Sequence, residues 1–135
     1  MEKIKVRIRK KDLRRKIYKM LGEILGSIPE EDKKLLENVR VEVRIGRFKR
    51  GYARVCLTEE GIYVIELSRE NFEELPENKQ KYALAHELAH IVTYEEDRVF
   101  GILTPISIEL FAEDDAYERL TMDWGFKTPE EEAEE

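Results

Sequence analysis

The sequence predicts an α+β fold: a small three-stranded, mainly antiparallel sheet packed against one buried helix and a C-terminal helix, with further helices at the N-terminus. Three observations carry that expectation. Residues 39–67 hold three short runs rich in β-branched and aromatic residues, separated by turn-like segments that end in glycine. Residues 76–93 are of helical length and largely apolar. Two stretches before residue 39 and one after residue 105 place apolar residues at helical spacing.

Along the chain, "KIKVRIRKK" alternates Ile4, Val6 and Ile8 with basic residues and reads as a short strand or as the lead-in to a helix. From Asp12, taken as the N-cap, Leu13, Ile17, Met20, Leu21, Ile24 and Leu25 fall on one helical stripe that ends at Gly26 and Pro29. A short helix with an acidic first turn follows from Glu30 to Asn38. The strand candidates are Val39 to Gly46, Tyr52 to Leu57 and Gly61 to Leu67, whose short connections suggest an antiparallel meander. Leu75 and Pro76 mark a boundary, because the residue before proline avoids helical dihedrals while proline suits the first helical turn. The next helix is therefore expected from Pro76 to about Thr93, followed by a loop over 97–105 and a last helix from Ile106 to Trp124 that Gly125 stops.

A chain of 135 residues is long enough for one core, so a single domain is expected over 1–127. Residues 1–38 would form its basic helical segment, and the acidic tail 128–135 is expected to be flexible. Charged residues make up 40% of the chain and apolar residues 41%, the balance of a folded protein with a heavily charged surface. The single Cys56 excludes an internal disulfide and lies in an apolar alternation, so it is read as a small buried hydrophobe; a cysteine protease is not expected. No apolar run approaches the roughly 20 residues that cross a bilayer, nor is there a signal-peptide segment; the expected address is the cytoplasm, with no membrane partner.

The net charge of −6 is unevenly spread. Residues 1–50 carry 17 of the 24 basic side chains against 8 acidic ones, a balance of +9 that leaves −15 for the rest. The favoured reading is a basic segment that is solvated or lies against the acidic body. Nucleic-acid binding through it is the lesser one, because no aromatic-interleaved basic motif accompanies it.

Both histidines of the chain, His86 and His90, stand in "AHELAH" within the buried helix candidate. Residues four apart share a helical face, so two ring nitrogens can converge on one metal ion. Glu87 is turned about 100° around the axis, out of that shell but within reach of a water on the metal, the position of a general base. A histidine pair on a buried helix needs partners, and one shared ion satisfies both. H-E-x-x-H is a short pattern, and two satisfied surface histidines are its bland alternative. A catalytic zinc site usually takes a third protein ligand; no histidine or cysteine remains downstream, so a site completed within this chain takes a carboxylate. Of the acids on the last helix, Glu113 falls within the packing arc of Ile106, Leu110, Phe111, Tyr117 and Leu120. Glu109 and Asp114 rank behind it, and Asp115 and Glu118 point more toward solvent.

"HELAH", 22 residues, then "EDDAY" resembles the gluzincin metallopeptidases and in particular their small soluble relatives, the minigluzincins. The resemblance implies Zn²⁺ held by His86, His90 and Glu113, with Glu87 activating the water for peptide-bond hydrolysis. Glu113 and Ala116 match the family's E-x-x-A-D-like motif, whereas Tyr117 replaces its aspartate. The family also implies an edge strand that aligns peptide substrates, for which residues 61–67 are the matching stretch. A tyrosine assisting the oxyanion would be Tyr94, Tyr63 or Tyr117. The run from Gly61 to His90 also resembles the SprT-like proteases, whose third histidine has no counterpart here. The expected partner is thus a peptide or protein substrate. Two other readings are a latent or inactive metal-binding domain and a non-enzymatic adaptor using its basic N-terminal face.

Overall fold

The structure, a computed structural model, describes residues 4–98 and 113–127. Its elements run β1 (Ile4–Val6), α1 (Lys11–Ser27), α2 (Glu30–Glu37), β2 (Arg40–Gly46), β3 (Ala53–Leu57), β4 (Ile62–Ser68), α3 (Glu77–Arg98) and α4 (Glu113–Glu118). The last of these runs on into a π-helical turn, Arg119–Asp123. The α+β class is as expected. The sheet, however, has four strands in the order β1-β2-β4-β3, because the Ile4 and Val6 alternation is a strand that pairs parallel to β2.

The meander is replaced by a mixed sheet. β3 and β4 form the expected antiparallel hairpin, with Thr58 and Gly61 closing its turn and Gly61 at φ 81°. β4 then inserts beside β2 as a parallel neighbour, from Arg40 opposite Ile62 to Gly46 opposite Ser68. The order follows from side-chain character. β4 buries Tyr63, Val64, Ile65 and Leu67, an apolar run suited to a central strand, whereas β3 exposes Arg54. Residues 61–67 are consequently interior, and the edge strands are β1 and β3.

The two faces of the sheet differ. Ile4, Val6, Val41, Val43, Val55, Tyr63, Ile65 and Leu67 join the hydrophobic cluster of the helices. The opposite face carries Arg7, Arg44 and Glu42 in one ion-paired group and Arg54 paired with Glu66. Cys56 is half-buried rather than buried, and burial pushes its thiol upward, away from the thiolate.

On the cluster side α1 buries the six residues of its predicted stripe. Its N-cap is Lys10, with no side-chain cap bond, so Asp12 lies inside the first turn rather than before it. α1 ends where Ile28 turns extended ahead of Pro29, as a pre-proline residue must. α3 is covered nearly all round, with Leu84, Ala85, Leu88, Ala89, Ile91 and Val92 inaccessible to solvent. It outlasts the expected end at Thr93 and takes in Asp97 and Arg98 because Tyr94 and Glu95 are also buried. No glycine or proline stands in "EEDR" to stop the helix. Among the described residues no helix is long and apolar enough to cross a membrane. The rest of the expected 97–105 loop, the first part of the helix from Ile106, and the tail lie outside the described residues.

The C-terminal segment is fastened by one buried carboxylate. Asp32 on α2 accepts hydrogen bonds from Arg119 Nη1 at 2.9 Å and from Trp124 Nε1 at 2.7 Å. Arg119 also donates to Thr93 and Glu96 on α3. Leu120 and Ala116 pack inward at 0% exposure, and Gly125, at φ 74°, ends the segment. Asp32→Ala removes the acceptor for a largely buried guanidinium and an indole N–H, and should cost about 2–3 kcal/mol. Urea denaturation of the variant checks this: the midpoint should fall while the slope is retained.

Candidate metal centre

α3 supplies the first half of the site. The rings of His86 and His90 lie one turn apart, with centroids 4.8 Å from each other. Both turn Nε2 toward the start of α4, where Glu113 Oε1 stands 3.0 Å from His86 and Oε2 stands 2.8 Å from His90. One ligand atom from each of the three residues lies within 4.8 Å of the others. The predicted trio is therefore brought together, from positions 27 apart in the chain.

The environment is graded. The His90 side chain is 0% exposed, that of His86 22%, and that of Glu113 48%, so the cluster opens outward on the carboxylate side. Two imidazoles and a carboxylate form a donor set suited to a borderline divalent cation, and their convergence to within chelating range fits such an ion. Glu87, the neighbour of His86, is buried at 2% exposure beside this cluster rather than within it.

The other acids fall as follows. Asp114, Asp115 and Glu118 are exposed, and Glu109 lies outside the described residues. Ala116, one turn on from Glu113, is inaccessible, so a small side chain there lets α4 approach its neighbours. Tyr117, where the gluzincin motif would carry aspartate, is exposed. Of the three tyrosines considered for the oxyanion, Tyr63 donates its hydroxyl to Glu95 and Tyr94 is packed edge-on against the Tyr63 ring. Both are buried in the core, and only Tyr117 has open access to solvent.

Two groups around the site escaped sequence reasoning. Tyr82, one turn before His86, lies with its ring centroid 6.3 Å from the imidazole. Arg119 and Trp124 anchor the helix that bears Glu113. Their signal was present, a lone basic residue in an acidic helix and the chain's single tryptophan, but their acceptor Asp32 lies 87 and 92 positions away. Burial opposes the charge on Arg119, yet the hydrogen bond to Glu96 and the field of Asp32 outweigh it and hold the guanidinium above its usual range.

The family model described as "Putative phage metallopeptidase" matches residues 27–119, from the end of α1 through α4 and the first residue of the π-helical turn. No curated protein and no solved structure matches the chain. With more than two thirds of its length matched, including His86, Glu87, His90 and Glu113, the chain belongs to this metallopeptidase family. Membership brings metal-dependent peptidase activity, peptides or proteins as substrates, and a metal cofactor.

The buried phenol bonded to Glu95 on α3 gives a pH prediction. Burial, and then the carboxylate of Glu95, push the pKa of Tyr63 well above its usual 10.0. The folded state holds that proton more tightly than the unfolded chain does. Its contribution to stability is therefore complete below pH 10 and is lost as pH rises toward the raised folded value. Tyr63→Phe should cost about 1–2 kcal/mol near neutrality, since Glu95 keeps Arg98 but loses its phenolic donor. Urea midpoints measured between about pH 8 and 11 should also fall less steeply in the variant than in the parent.

Proposed function

We propose that this protein is a gluzincin-type zinc peptidase in which His86, His90 and Glu113 hold the ion and Glu87 is the general base. The observation that carries the reading is the meeting of Glu113 with both imidazoles, at 3.0 and 2.8 Å, beside a buried glutamate. Zinc bound there would act as a Lewis acid, polarising the scissile carbonyl and lowering the pKa of water toward 7.

The chain's own groups divide the remaining work. Glu87 accepts a proton from the attacking water on a carboxylate oxygen and returns it to the leaving amine nitrogen. His90, enclosed by the core, fixes one corner of the ligand set, while His86 and Glu113 border the open side through which a peptide enters. β3 lies against α3, and its outer edge has no strand neighbour among the described residues. An extended peptide can add to that edge by main-chain pairing, which transfers the aligning role first expected of residues 61–67 to residues 53–57. Tyr117, the exposed one of the three tyrosines, would be the one to assist the developing oxyanion.

Two variants test this. His86→Ala should abolish stoichiometric zinc, measured by elemental analysis of purified protein, with circular dichroism unchanged. Glu87→Gln should retain zinc yet lower kcat on a cleaved peptide by about 10²–10⁴-fold. Undiminished hydrolysis by zinc-loaded Glu87→Gln protein would sink the assignment of the base.

A further inference from the structure

A concentration of cations among the described residues lines a cavity that contains none of the candidate metal ligands. β1, β2 and β4 run parallel, and beyond their C-terminal ends opens a cavity of about 640 Å³. Its rim carries Arg7, Arg9, Lys10, Arg44, Arg47 and Arg69. Its floor includes the apolar side chains of Ile8, Leu13 and Ile45. Arg47 and Arg69 also line a second cavity of about 520 Å³ with Lys49, so the cationic surface runs on beyond the first.

Local acids neutralise only part of it. Glu42 pairs with Arg7 and Arg44, and Glu73 pairs with Lys10. Arg9, Arg47, Lys49, Arg50 and Arg69 make no ion pair among the described residues. Like charges gathered this closely oppose folding, and an anionic ligand relieves them.

The connection from β2 to β3, "RFKRGY", interleaves cations with aromatics, contrary to the expectation that no such motif accompanies the basic segment. It is held in a fixed course by its backbone. Ser68 Oγ donates to Phe48 O, and Asn71 Nδ2 donates to Lys49 O and Gly51 O, at 2.9 to 3.0 Å. A Cβ on Gly46 would stand 3.0 Å from the Phe48 ring and 2.9 Å from Glu66, so the glycine allows Phe48 to pack back on the strand. Tyr52 is left exposed at the far end of the loop.

We propose that this surface binds single-stranded nucleic acid, with phosphates on the arginine rim, a base over the apolar floor, and Tyr52 as a stacking platform. Guanidinium forks match phosphate oxygens in pairs. A ligand that alternates anionic groups with flat apolar faces is a nucleotide strand, whereas an acidic peptide lacks the flat faces. The strand must be unpaired, because a duplex keeps its bases stacked away from such a cavity. The inference is independent of the zinc reading, and the binding is expected with metal chelated.

The test is fluorescence anisotropy of the full chain, in chelator, with labelled oligothymidylate of about 20 nucleotides, the matching duplex, and a polyglutamate peptide. Oligothymidylate should bind best. If four phosphates are neutralised, its affinity should drop about 50-fold between 50 and 200 mM salt. Arg47→Ala with Arg69→Ala should weaken binding and reduce the logarithmic salt slope by about 1.4. Tyr52→Ala should weaken it roughly tenfold, with Tyr52→Phe retaining it. Lys19→Ala with Lys34→Ala, on exposed positions of α1 and α2, should leave it unchanged. Should the double arginine variant misfold by circular dichroism, Arg47→Gln with Arg69→Gln takes its place. Absence of binding at 50 mM salt, tighter binding of polyglutamate or duplex, or indifference to the loop and rim variants would overturn the proposal.

Discussion

The carboxylate of Asp32 sits on a short helix 54 positions before the first histidine, yet the geometry of the candidate site depends on it. Glu113 belongs to a helix that continues into the π-helical turn and whose described part, Glu113–Asp123, is tied to the rest of the fold by side chains. What fixes it is tertiary: Arg119 and Trp124 bonded to Asp32, Arg119 bonded to α3, and Ala116 and Leu120 pressed into the core. A buried acid that accepts from both a guanidinium and an indole has directional requirements that apolar packing lacks. It therefore sets where the third donor stands relative to the other two. α2, which looked like a mere connector, thus becomes part of the site's support.

The two histidines need no such help. They project from α3, which is enclosed by α1, α2, β3 and the C-terminal segment, and their relative placement is fixed by helical geometry alone. This difference explains what could be read in advance. The His86 and His90 pair, the neighbouring Glu87, the apolar stripe of α1 and the hairpin of β3 and β4 are all local patterns, and each was legible. Glu113 could be ranked first among several acids because its neighbours at helical spacing are apolar. The contact itself spans 27 positions, and only the folded chain fixes it.

The sheet shows the same limit. Strand positions followed from composition, but pairing partners did not, because nothing within a strand names its neighbour. β4 lies centrally since it buries Val64 on one face and Tyr63, Ile65 and Leu67 on the other, and three-residue β1 pairs with β2 across the two helices that separate them in the chain. Assuming that consecutive strands pair misplaced β4 at an edge and hid the open flank of β3. The support of the C-terminal segment was illegible for the same reason, as Asp32 in isolation reads as one more solvated acid in a first helical turn.

If peptide substrate pairs with β3 as proposed, the open flank of that strand has a kinetic meaning. Five residues expose only about two or three outward main-chain hydrogen-bonding positions, because alternate residues face the paired neighbour. A chain laid along so short a ledge is aligned but weakly retained, and fragments lose part of their pairing once the chain is cut. The same brevity, with charged Arg54 within the strand, guards against a second copy adding edge to edge. A ledge long enough to grip any extended chain would saturate with its own products; one of this length favours release over retention.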